Sequence, residues 1–159
     1  MERKVVMRRK ENEITQQSDI ESMIYQSTVC RIGMCDHNIP YIVPLCFGYR
    51  NGRIYVHSSL KGRKIDILRK NRNVCFEFDH NAKVVKAENA CKWGMKYQSV
   101  IGFGIASFIE DPGDKRDALE IIMNQYADGP FRFSEKEING TAVIEIDIES
   151  MTGKQSGVE

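Results

Sequence analysis

Hydroxyl and cationic side chains are concentrated between His57 and Lys64, where the sequence reads HSSLKGRK. An alternating apolar segment precedes this cluster and an amphipathic segment follows it, so we predict that it lies where a strand passes into a helix. Backbone N–H groups at the start of a helix, together with hydroxyls and cations, favour binding of an anion. The expected anion is phosphate. The alternative is that the cations form a solvated helix face and that Ser59 is an ordinary helix cap.

The charge pattern favours the anion site. Lys61, Arg63 and Lys64 would all stand near the positive end of the helix dipole, which they oppose unless an anion is present. His57 has three interpretations: a satisfied side chain at a strand end, a hydrogen-bond donor to a ligand, or a general acid. No G-x-S-x-G, H-E-x-x-H, Walker-loop or EF-hand motif occurs in the sequence, and we therefore expect neither a hydrolase nor a metalloenzyme.

The composition favours one globular domain, which we place at residues 1–159. The 159 residues are 42% hydrophobic, enough to build a core, and the net charge is only +1, so we expect no nucleic-acid or membrane partner. Residues 1–13 hold five basic side chains and few core-forming ones, which predicts a loose N-terminal arm or a short edge strand. No apolar segment suits a secretion signal or a membrane span.

The cysteines point to a reducing compartment. The sequence holds five of them, an odd number, with no C-x-x-C pair. This pattern predicts buried, reduced thiols rather than disulfides or a zinc finger, and we expect a cytoplasmic protein.

Alternation of apolar residues at period two predicts six strands. They are Val29–Cys35, Tyr41–Tyr49, Arg53–His57, Asn73–Asp79, Met95–Ile109 and Ala142–Ile148. We expect the first three to form an antiparallel meander. Within the second strand, Pro44 predicts a bulge, a stretch of backbone left open to a ligand, or an edge strand. Gly102 and Gly104 lie on one face of the fifth strand and would let it bend around a closing barrel.

Helices are predicted over Thr15–Gln26 and Leu60–Asn71, with Ser18 capping the first and Ser58 or Ser59 the second. Two more should begin after Asp111 and after Ser134. A polar loop of about a dozen residues should lead to Trp93. Strands joined to neighbouring strands, with short helices between them, predict an antiparallel β-barrel decorated by helices.

Four segments, taken together and in order, resemble the flavin-binding split-barrel superfamily of pyridoxamine 5'-phosphate oxidase. They are Tyr41–Leu45, Asn51–Ser59, Gly62–Asp66 and Ser99–Gly104. More narrowly, the chain resembles the nitroimidazole-resistance subgroup, and the likeness runs from about Met7 to Gly157.

The resemblance implies a mainly β fold, a six-stranded antiparallel split β-barrel of the FMN-binding type with α-helices. It also implies a homodimer that holds two FMN molecules at the subunit interface, each lined by both chains. By that likeness the phosphate would be held by Ser58, Ser59, Lys61, Arg63 and Lys64. The isoalloxazine ring would be bordered by Val43, Pro44 and His57, and would be reached from the partner chain by Trp93 and Ser99. The alternative for Trp93 is a plug in the core.

The resemblance further implies an FMN-dependent oxidoreductase that passes electrons from NAD(P)H, or another donor, to a small planar acceptor such as a nitroaromatic. The cofactor performs the redox step, so we assign no catalytic side chain. The alternatives are a non-enzymatic module that stores or senses flavin, and a split barrel that holds haem or a deazaflavin, with His57 as the axial ligand of a haem.

Two departures from the family pattern limit this expectation. The C-terminal segment Met151–Glu159 offers only Lys154 as a basic residue, whereas pyridoxamine 5'-phosphate oxidase proper uses basic residues there to bind its substrate, so we do not expect vitamin oxidation. Arg63 stands where much of the nitroimidazole subgroup has a histidine, so a role of that histidine is not carried over.

Overall fold

Eight strands form one antiparallel sheet in the computed structural model, which describes residues 6–157. The strands are β1 Glu13–Ile14, β2 Cys30–Asp36, β3 Ile39–Leu45, β4 Phe47–Arg50, β5 Arg53–Ser59, β6 Asn73–Val85, β7 Gly94–Ile109 and β8 Thr141–Ser156. The helices are α1 Gln17–Gln26, α2 Arg63–Lys70, α3 Pro112–Asn124 and α4 Glu135–Asn139, and two short 3-10 helices span Lys10–Asn12 and Ala90–Lys92. The predicted mainly β, antiparallel architecture is confirmed, but the described residues form eight strands rather than six.

One short connection brings the two edges of the sheet together. The strand order is β3-β2-β6-β7-β8-β5-β4, with β1 paired to β8. The two ends of this order, β3 and β4, are separated in the chain by Cys46 alone, so both edges must lie close together, as in a barrel. Inside, large apolar side chains fill the enclosed space, and the rings of Phe47 and Phe78 lie 4.8 Å apart.

The single strand predicted over Tyr41–Tyr49 is wrong, and so is the meander that depended on it. The chain leaves β2 at Leu45 and pairs with β5 from Phe47 onward. At the crossing, the backbone N–H of Phe47 donates to the hydroxyl of Tyr126 at 3.0 Å instead of to a strand. The hydroxyl of Tyr126, two residues beyond the end of α3, therefore takes over a backbone group that a continuous ladder would have used.

The second helix begins three residues later than predicted. Ser58 and Ser59 stay in β5, opposite Ala142 and Thr141 of β8, so neither serine caps α2. The cap position is Gly62, whose φ of 137° is incompatible with a helix and strained for other residues.

The predicted polar loop after residue 79 is partly strand. β6 continues to Val85 and pairs with β7, with a register shift between His80 and Lys83. The two paired segments are polar and exposed, and backbone hydrogen bonds join them. Such pairing produces no periodic pattern of apolar residues, so the sequence did not predict the extension. The bend expected at Gly102 and Gly104 coincides with a register shift between Phe103 and Gly104 in the pairing of β7 with β8.

Of the three other predicted helix caps, two are confirmed and one is wrong. Asp111 caps α3 and Ser134 forms a capping box with Glu137 at α4, as predicted. Ser18 does not cap α1, whose cap position is Gln16 without a side-chain hydrogen bond.

All five cysteines are free, but only Cys30 is buried, so the expectation of buried thiols was wrong for the others. The first five residues of the predicted arm lie outside the described part of the chain. Of the rest, Lys10–Asn12 form a 3-10 helix, and Glu13–Ile14 pair with Lys154 and Gly153 of β8.

Candidate functional site

The end of β5 and the start of α2 form the candidate site. His57, Ser58 and Ser59 are held against Val143, Ala142 and Thr141 of β8, in unbroken register. The chain then turns at Gly62, where a Cβ would meet no atom within 4 Å. This open space lies directly before the first turn of α2, where the backbone N–H groups have no intrahelical acceptor.

The cations at this junction are not paired. Within residues 6–157, none of Lys61, Arg63 and Lys64 forms an ion pair with a carboxylate. No side chain caps α2, and the Ser59 hydroxyl accepts only a long bond, 3.5 Å, from the Lys61 backbone N–H. The junction therefore presents hydroxyls, free N–H groups and unneutralised positive charge together, which is what an anion requires.

Cations also lie at the C-terminal end of α2, where they are stabilised without a ligand. Arg69 and Lys70 lie in the last turn, where positive charge is stabilised by the helix dipole. In addition, Arg69 lies over the ring of Phe108, with its Cζ atom 4.8 Å from the ring centre. The N-terminal cations have no such dipole stabilisation, which strengthens the anion-binding interpretation for that end alone.

Burial and charge lower the pKa of two groups at the junction. The pKa of His57 is lowered, first by burial of the ring and second by the charge of Lys64. Burial also lowers the pKa of Lys64. Both groups thus lie in surroundings that disfavour positive charge, and a bound anion would oppose both effects.

Arg63 has an aromatic partner that the sequence analysis missed. Its Cζ atom lies 4.5 Å from the ring centre of Tyr41 on β3. In the sequence, Tyr41 begins both a predicted strand and a family-like segment, and it shares a face of β3 with Val43 at period two. This contact joins β3 to the start of α2.

Val43 and Pro44 lie further along the same strand. Val43 packs against the barrel core, whereas Pro44 is exposed and stands opposite Arg31 of β2. Among the described strands, β3 is paired only with β2 and ends the strand order, with no register shift between them. Pro44 therefore lies in an edge strand rather than at a bulge, and one side of the β3 backbone is open.

Trp93 and Ser99 are not brought to the junction by any contact within the described residues. Trp93 is 50% exposed, beside the base of the β6–β7 connection, and its indole N–H donates to the carbonyl of Ala87 at 2.7 Å. It does not plug the core. Ser99 lies in β7 between Asp79 of β6 and Lys154 of β8.

Metal centres and membrane-spanning helices are both absent from residues 6–157. No group of three or more His, Cys, Asp or Glu side chains in residues 6–157 is arranged to hold a metal ion. In the same residues, no helix is both long and apolar enough to cross a membrane.

Comparisons with known proteins show the family and agree with the fold. The family model for pyridoxamine 5'-phosphate oxidase matches residues 16–155. The chain is 38% identical to a protein of known structure from Bacteroides thetaiotaomicron that is provisionally assigned as a 5-nitroimidazole antibiotic resistance protein, with a TM-score of 0.82 over 90% of this chain and 86% of that one. No curated protein matched the chain.

Two more distant structures share the fold. The flavocytochrome Anf3 from Azotobacter vinelandii is 22% identical, with a TM-score of 0.84 over 96% of this chain and 73% of that one. The FAD and heme binding protein from Mycobacterium smegmatis is 17% identical, with a TM-score of 0.84 over 92% of this chain and 74% of that one.

We predict that Lys64→Met raises the pKa of His57 toward its ordinary value of 6.5, because the charge of Lys64 is one of the two causes that lower it. The increase will be partial, since burial of the ring remains. An NMR titration of the His57 ring measures it, with Lys70→Met at the far end of α2 as the matched control. An unchanged pKa in Lys64→Met would contradict the close approach of the two side chains.

The lowered pKa of His57 also predicts how the free energy of unfolding depends on pH. Because the pKa of His57 is lower in the folded protein than in the unfolded chain, protonation favours unfolding. The contribution of His57 to the free energy of unfolding should therefore be complete above pH 6.5 and decline as the pH falls through the pKa of the folded state.

Proposed function

The chain belongs to the pyridoxamine 5'-phosphate oxidase family of flavin-binding split barrels, and on that premise we propose that it is an FMN-dependent oxidoreductase. Membership confirms the resemblance that four short segments suggested. Members of the family bind flavins. The proposal concerns which flavin this chain binds, where it binds, and what it reduces.

The residues at the β5–α2 junction fit the phosphate end of FMN. The phosphate is a compact anion, and the junction offers hydroxyls, cations without carboxylate partners and the start of a helix. We assign phosphate binding to Ser58, Ser59, Lys61, Arg63 and Lys64. The single observation that carries this assignment is the absence, within residues 6–157, of any acidic partner for the three cations at the positive end of α2.

The ring end of the cofactor fits the open edge of β3. A flavin ring needs an apolar slot and polar groups for its heteroatoms. Val43 and Pro44 offer apolar contacts, and the unpaired side of the β3 backbone offers N–H and C=O groups. His57 lies at the end of β5 beside Lys64, and there it would hold a hydrogen bond to the bound cofactor. Bound FMN would supply hydride or electron transfer, while the protein positions it and excludes water.

We assign the ring's second wall to a partner subunit. Proteins of this family commonly dimerise. One outer face of the sheet carries exposed apolar side chains, among them Ile42 at 63% and Ile101 at 43% exposure, and a dimer would cover them. In that arrangement Trp93 and Ser99, which touch no residue of their own chain's junction, would reach the flavin of the other subunit.

We expect Lys61→Ala combined with Arg63→Ala to weaken FMN binding about 100-fold or more, because charge-assisted hydrogen bonds contribute about 1.5–3 kcal/mol each. Titration of the apoprotein, followed by flavin fluorescence, measures the dissociation constant. Arg69→Ala combined with Lys70→Ala removes the same charge from the other end of α2 and should leave the affinity nearly unchanged. Equal losses in the two double variants would show that overall charge, not this junction, governs binding.

The shared site predicts a dimer in solution. Ile101→Glu would place a charge on the outer sheet face and should give a monomer with weakened FMN binding, because half of each site would be lost. Light scattering gives the mass and the same titration gives the affinity. Met123→Glu, on the solvent side of α3, is the matched control. A wild-type monomer that binds FMN tightly would contradict the shared site.

Turnover separates the oxidoreductase from a module that only binds flavin. We expect NADH or NADPH to bleach the flavin absorbance under anaerobic conditions, and a nitroimidazole then to restore it. The Lys61→Ala/Arg63→Ala variant serves as the control without cofactor. Flavin that is bound but never reduced by any donor would favour storage or sensing, and a Soret band in place of flavin absorbance would identify a haem protein.

A further inference from the structure

The side chain of Arg63 is held by an aromatic ring before any ligand arrives. Its Cζ atom lies 4.5 Å from the ring centre of Tyr41, close enough for an attraction between the cation and the π-system. Tyr41 is itself partly buried and packs against the barrel core. The ring is therefore a fixed platform on β3 for a side chain that comes from α2.

Stacking leaves the binding groups of Arg63 free. A guanidinium is planar, and its five N–H donors point outward in that plane, so a cation whose Cζ atom lies over the ring of Tyr41 can use one face for that contact and its edge for a ligand. Within residues 6–157 Arg63 makes no ion pair. The donors are thus available for the paired hydrogen bonds that a phosphate accepts.

A free arginine side chain loses rotamer entropy when it binds a ligand, and that loss weakens binding. A guanidinium already stacked on a ring has lost part of this freedom on folding. The benefit appears only for ligands that Arg63 contacts, and in FMN that part is the phosphate.

We propose that Tyr41 is a positioning residue that pre-organises Arg63 for the flavin phosphate and so determines selectivity for FMN over riboflavin. This inference rests on the proposed function of the β5–α2 junction. It assigns Tyr41 a role that acts through Arg63, with no contact to the cofactor required. It also accounts for an arginine at this position, because a planar cation can stack and donate at the same time.

The test compares two ligands that differ only in the phosphate. In Tyr41→Leu we expect the dissociation constant for FMN to rise about three- to tenfold, the size expected for one newly mobile side chain, and that for riboflavin to stay unchanged. Tyr41→Phe keeps the ring and should keep the FMN affinity. Equal weakening of both flavins in Tyr41→Leu would show a merely structural role and overturn the proposal.

A matched control lies at the other end of the same helix. Phe108 is also partly buried against the barrel core and carries Arg69, 4.8 Å from its ring centre. Phe108→Leu removes the same kind of stacking from a cation that we do not assign to the phosphate. It should leave the ratio of FMN to riboflavin affinity unaltered, and a fall in that ratio as large as in Tyr41→Leu would overturn the proposal.

A double-mutant cycle tests the coupling itself. In an Arg63→Ala background, Tyr41→Leu should no longer affect FMN binding, because there is no guanidinium to position. A further loss as large as in the wild type would contradict the inference. Wild-type protein that binds neither flavin would overturn the proposed function as well, and that outcome is visible without any substitution.

Discussion

The pairing of β5 with β8 is the constraint on which the candidate site depends. Ile54 and Val56 are buried, as are Ile144 and Ile146 opposite them. A slip of one residue would move each of these side chains from the barrel core to the opposite face, where Tyr55 and Val143 pack against α3, so burial on both faces fixes the register. The register in turn fixes where β5 ends, and therefore where the turn at Gly62 and the first turn of α2 can stand.

The distribution of charge along α2 favours anion binding at the N-terminal end of the helix. The last turn of the helix carries cations that its dipole stabilises, while the first turn carries Arg63 and Lys64, which the dipole repels, together with Asp66, which it stabilises. A free protein tolerates this arrangement because Lys61 and Arg63 are exposed and water screens their charges, whereas Lys64 is half-buried. Binding of an anion would remove the repulsion, so the same feature that costs some stability in the free protein favours the bound state.

β3 contributes to the candidate site although it is not adjacent in the chain to the start of α2. β3 lies at one end of the strand order, and its chain continues through Cys46 to the other end. β3 pairs only with β2 and so keeps an open backbone edge, and its Tyr41 contacts Arg63. One strand thereby supplies both a support for the cation and a surface beside which a ring can lie.

Local features could be read from the sequence, because they depend on neighbours in the chain. The caps at Asp111 and Ser134, the alternation in β2, and the cluster of cations after a strand are of this kind. The extension of β6, the break at Cys46 and the contact of Tyr41 with Arg63 could not be read, because each joins residues that are distant in sequence. Backbone ladders between polar strands and stacking across a barrel leave no periodic trace, so only tertiary structure decides them.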